Sequence, residues 1–299
     1  NTVGTGTIND VTTVVASIDD KTLAEGNSGT TNFDFTVTLD KVSAVDIVIP
    51  WTFTNVTSSD SDFGAGLTKT GKVTIPAGQL SAKITPTFPV NGDTTLEGDE
   101  TFTVTLGTPE QANAIVSDTD NVGTGTITND DQVTVTITEK VQQTEGNSGT
   151  KNFDFTVTLD KAAGVDVVVP YTFAHVTTNA ADFTGLTTTG KVTIPAGQTS
   201  AKISPTFAVN GDTTVEADET FTITLSTPET SGAILSATNK IGTGTIQNDD
   251  AITASINAVS KAEGNSGTTN FDFEVSLDQV AAVDVVIPWT FAHVTTADS

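Results

Sequence analysis

The residues of this chain that could do chemistry are carboxylates, and they recur in a fixed order. One set runs Glu25, Asp62, Asp93, Glu97, Asp99, Glu100 and a closing Asn129-Asp130-Asp131. A second runs Glu145, Asp182, Asp212, Glu216, Asp218, Glu219 and Asn248-Asp249-Asp250. All of them fall where the pattern predicts strand ends or loops, and such loops converge at one end of an up-and-down β-sandwich. Two like charges about 5 Å apart repel by roughly 3 kcal/mol at an effective dielectric near 20. The 12 lysines do not track the clusters closely enough to offset this. A hard divalent cation would: Ca2+ takes about six to eight oxygens in a flexible shell, whereas Mg2+ keeps water in a stricter octahedron. Acids in loops can serve solubility alone, but recurrence at matched places points to one calcium site per copy.

Some acids drop out of this set. Asp60 aligns with Ala180, which argues against an essential ligand. Asp34 and Asp46 have outward parity and read as solvated positions. Asp99 and Asp218 precede a strand and read either as ligands or as residues that shape the turn.

Other chemistries are excluded. Without cysteine there is no disulfide, thiol nucleophile or thiolate metal site. His175 and His293 occupy a repeat position that holds Asn55 in the first copy, so neither reads as catalytic. The many hydroxyls lack a paired base, and the carboxylates repeat per copy instead of forming one glycosidase pair. No enzyme activity is expected. A net charge of −25 without a single arginine excludes a nucleic-acid footprint and disfavours anionic membranes. No apolar run is long enough to span a bilayer as a helix.

The elements that must position the acids are strands. Phe33–Leu39, Phe102–Leu106 and Val133–Ile137 alternate apolar and polar residues with period two. Val45, Ile47, Ile49, Trp51 and Phe53 share one parity and are expected to face the core, making Trp51 and its equivalents core plugs. Pro76-Ala-Gly78 and Asn91-Gly92 mark turns. Pro50 and Pro86 suggest edge strands or bulges.

The string Gly-Asn-Ser-Gly-Thr follows Glu25, Glu145 and Glu263, which lie 120 and then 118 residues apart. Residues 25–53 and 145–173 agree at 22 of 29 positions. Such a period signals an array of like domains. The expected boundaries are 11–131, 132–250 and a partial third copy, 251–299. Residues 1–10 read as the last strand of a preceding copy, since Gly4–Ile8 matches Gly123–Ile127. The chain thus reads as a window from a longer protein. About seven short strands per copy imply all-β, immunoglobulin-like Greek-key sandwiches in tandem.

Taken together, the Glu-Gly after the first strand, the central Asp-Phe, Glu-x-x-Glu-Thr-Phe-x-Val/Ile-x-Leu and the closing Ile-x-Asn-Asp-Asp resemble the Calx-β domain. The resemblance covers the whole chain and implies a sandwich binding a calcium cluster at one end. By matching position the implied ligands are Glu25, Asp62, Asp93, Glu97, Glu100, Asp130 and Asp131. In the second copy they are Glu145, Asp182, Asp212, Glu216, Glu219, Asp249 and Asp250. Asn129 and Asn248 depart from the family pattern, whose best calcium binders carry another aspartate there.

These features lead to a calcium-binding structural segment of a bacterial extracellular or cell-surface protein: a stalk, fibre or matrix element. Its expected partners are calcium, neighbouring repeats and like chains in a fibre. The alternatives are a calcium-sensing regulatory module and an adhesive or glycan-binding module.

Overall fold

The computed structural model describes residues 3, 5, 6 and 12–292; the expected strand at residues 1–10 and His293 lie largely or wholly outside these. Alternating burial builds the first repeat from eleven short strands: β1 (Val14–Ile18), β2 (Lys21–Ala24), β3 (Thr30–Phe33), β4 (Thr36–Leu39), β5 (Ile47–Asn55), β6 (Thr70–Ile75), β7 (Ser81–Lys83), β8 (Phe88–Asn91), β9 (Glu100–Leu106), β10 (Ala114–Val116) and β11 (Val122–Thr128). They form a sheet in the order β10-β1-β4-β7, a facing sheet β2-β11-β9-β5-β6 and a short β3-β8 pair. Four of the seven expected strand runs are therefore broken in two, each half serving a different sheet. Both β1-β10 and β2-β11 pair in parallel. The second repeat copies this plan between Val133 and Gln247. No α-helix occurs among the described residues.

Each sandwich closes over aromatic side chains. Phe33, Phe35, Phe88 and Phe102 are fully buried, and Trp51 packs edge-on against Phe88 at 5.4 Å. The repeated Gly-Thr-Gly-Thr-Ile string has a packing cause. A Cβ on Gly125 would sit 2.3 Å from the ring of Phe102, and one on Gly244 would sit 2.2 Å from that of Phe221. Only glycine lets these rings lie flat on the strand.

Several expectations are corrected. Val45 is 50% exposed, because β5 begins two residues later. Pro50 lies in an internal strand, flanked by β6 and β9. It is tolerated because the β9 ladder ends opposite Trp51, and the Pro50 carbonyl still accepts the Gly107 amide at 2.7 Å. Pro86 sits outside any strand, where the chain crosses between sheets. Asp46 does more than meet solvent: it accepts the Ala77 amide and fixes the Pro76 turn. In residues 251–292 only Ala254–Ile256 and Val275–Leu277 pair as strands. Trp289, the third equivalent of Trp51, is 82% exposed, since no flanking strands cover it among the described residues.

The joint between the two sandwiches contains a feature the alternation did not reveal. Leu96, in the acidic β8–β9 loop, is fully buried as a member of the second repeat's core. Its carbonyl accepts the Gly164 amide at 2.8 Å, and Lys161 donates to the Thr94 carbonyl. The same contact recurs downstream, where the Ala282 amide donates to the Val215 carbonyl at 3.0 Å and Gln279 to that of Thr213.

Candidate metal centre

Four chain segments meet at the end of the first sandwich. Glu25 follows β2, Asp62 closes a 3-10 turn, Asp93 and Glu97 lie in the β8–β9 loop with Glu100 opening β9, and Asp130-Asp131 follow β11. Carboxylate oxygens of Glu25, Asp130 and Asp131 lie within 4.8 Å of one another. Glu25 and Asp131 are buried. Glu100 shares a hydrogen bond with Asp62, which also accepts the Ser59 amide at 2.5 Å and the Ser59 and Ser61 hydroxyls. Asp93 accepts the Thr95 amide at 2.6 Å, tightening the loop that carries Glu97.

The electrostatics record how closely these groups sit. Burial, then Glu97, Asp93, Asp131 and Asp130, raise Glu25 to about 7. Burial and Asp62 raise Glu100 to about 7. Glu97 is raised by burial and then by Asp93, Asp62 and Asp131. In the second repeat Glu145 is raised to about 7 by burial, Glu216, Asp212, Asp250 and Asp249. Glu219 also rises to about 7, through burial and Asp182. Glu216 and Asp250 are raised as well, burial again coming first. All fourteen sequence-identified carboxylates therefore fall into two groups of seven. No lysine pairs with any of them among the described residues; Asp60, excluded above, pairs with Lys69 at 2.6 Å.

Four supporting residues were missed or left open by the sequence pattern. Asn27 donates to Asp131 at 2.8 Å, and Asn147 to Asp250 at 2.7 Å. Asn129 accepts the Glu97 amide and donates to the Asp131 carbonyl, each at 3.0 Å. Asp99 accepts the Asn129 amide, so it braces the closing run. The recurring Gly-Asn-Ser-Gly-Thr string was the available signal for Asn27 and Asn147.

One Asp131 oxygen and one Asp250 oxygen are buried without a hydrogen-bond partner. Buried carboxylate oxygens left without a partner are costly, and the normal remedies are a donor or a cation. All-oxygen donors, high negative charge and the absence of nitrogen or sulfur ligands suit a hard cation such as Ca2+.

These features define a tandem β-sandwich protein with a carboxylate-lined end on each complete repeat. The Calx-beta domain family model matches residues 82–131 and 128–250, and the chain belongs to that family. Among solved structures it is similar to CBD12 from CALX1.2, at 15% identity over 78% of this chain and 99% of that one, with a TM-score of 0.35. It is also similar to the apo-form Calx CBD1 domain, at 19% identity over 40% of this chain and 99% of that one, with a TM-score of 0.34. No curated protein sequence matches it.

Proposed function

We propose that this chain is a calcium-binding structural segment of an extracellular or cell-surface protein, in which the cation stiffens each junction between repeats. The observation that carries this reading is the double use of one loop. The loop that bears Asp93 and Glu97 and leads into Glu100 also seats Leu96 on the next repeat. Glu25, Asp62, Asp93, Glu97, Glu100, Asp130 and Asp131 would hold calcium in the first repeat. Glu145, Asp182, Asp212, Glu216, Glu219, Asp249 and Asp250 would do so in the second. The cation supplies positive charge; the protein supplies oxygens preset by Asn27, Asn129 and their counterparts. Without it, like charges within one cluster repel and loosen the loop that holds the joint. Small-angle scattering tests this: the largest dimension should shorten and broaden when calcium is chelated. Identical profiles with and without chelator would remove calcium from the stiffening role.

A further inference from the structure

Among the described residues, nothing covers on the first repeat the surface that Leu96 covers on the second. A cavity of about 160 Å3 is lined there by Thr12, Val14, Val42, Ser43, Ala44, Val45 and Asn113. By repeat position these are Asp131, Val133, Ala162, Ala163, Gly164, Val165 and Gly232, the neighbourhood of Leu96. Occupied and uncovered versions differ as docking requires. Val165 is half-buried and faces Gly98 of the preceding loop, whereas Val45 is half exposed. The Gly164 amide is bonded to Leu96, whereas the Ala44 amide has no partner among the described residues.

We propose that this pocket is a socket for the acidic loop of a further repeat of the same kind joined ahead of the first, entered by that loop's apolar apex residue. The occupant follows from the chain itself, since two joints already show this loop seated on this surface through its apex carbonyl. At the occupied joint Gly232 lines the socket: its φ is +81°, and a Cβ there would lie 2.3 Å from the Leu96 side chain and 2.7 Å from the Asp131 carbonyl. Valine is the apex already used at the second joint, as Val215. The inference holds with or without a bound cation.

The test exploits the absence of cysteine. Val45→Cys in the 299-residue chain should react rapidly with a thiol reagent. With a copy of residues 132–250 joined ahead of Thr13, the same cysteine should react at least about tenfold more slowly, because labelling tracks the open fraction of the joint. Val215→Asp in the added copy should restore the fast rate, and Val215→Ala should give an intermediate one. Val165→Cys is the reference: slow in the 299-residue chain and fast once Leu96→Asp is added. No slowing, or slowing insensitive to Val215, would overturn the proposal. Slowing in the 299-residue chain that grows with protein concentration would assign the socket to a second molecule and overturn it equally.

Discussion

Asn129 accepts the Glu97 amide and donates to the Asp131 carbonyl, and an ionised aspartate could make only the first bond. Asn129→Asp should therefore lower the stability of the calcium-free chain by about 1–3 kcal/mol, since a buried carbonyl loses its donor; scanning calorimetry in chelator reads this directly. Replacing Glu97 and Glu100 together by Gln should weaken calcium binding in the first repeat and spare the second. Titration calorimetry should then show one of two sets of sites lost. The raised glutamates also set a pH dependence. Glu25, Glu100, Glu145 and Glu219 sit at about 7 when folded, above the usual range near 4.5. The folded chain therefore holds more protons than the unfolded one between these values, and its stability falls as pH rises through that window. Melting temperature in chelator should drop from pH 4.5 to 7 and then level off, while saturating calcium should flatten the fall. Membership of the acidic clusters was legible in the sequence because carboxylates recur at fixed places. The amide roles of Asn27 and Asn129 were not, since a side chain that both donates and accepts reveals its purpose only when its neighbours are known.

At the scale of elements, alternation located the strands but not the points where they change sheets. The run beginning at Phe33 reads as one strand, yet Asp34-Phe35 breaks it into β3 and β4. Phe35 keeps its inward parity across the break, so hydrophobic period alone could not reveal it. Pro50 misled for a related reason: a missing amide signals an edge, but here the neighbouring ladder simply ends before reaching it. The glycines of β11 are a firmer guide. Gly125→Ala should destabilise the first repeat by about 1–3 kcal/mol, the cost of forcing Phe102 off its seat, and Gly244→Ala should do the same to the second through Phe221. Chemical denaturation should show one transition moved in each case.

For the whole molecule, binding to the folded state alone raises stability by about 2.7 kcal/mol at a calcium level a hundredfold above the dissociation constant. Chelation should lower the melting temperature accordingly, and a chain whose melting ignores calcium would contradict the site assignment. The repeat period made the tandem plan legible, whereas the seating of Leu96 was hidden, because one apolar residue among acids looks like any loop position. The parallel pairing of β2 with β11 has a mechanical meaning. Lys21–Ala24 lie beside Gly125–Thr128, and Lys140–Thr144 beside Thr243–Gln247. The chain enters each sandwich through β1 or its counterpart Val133–Ile137, itself parallel to a late strand, runs on into the first strand of such a pair and leaves through the second. A pull on the two ends drags the pair along its length, so its backbone bonds must fail together and cannot unzip in turn. Each sandwich is thereby set to bear tension, extending by abrupt, separate ruptures.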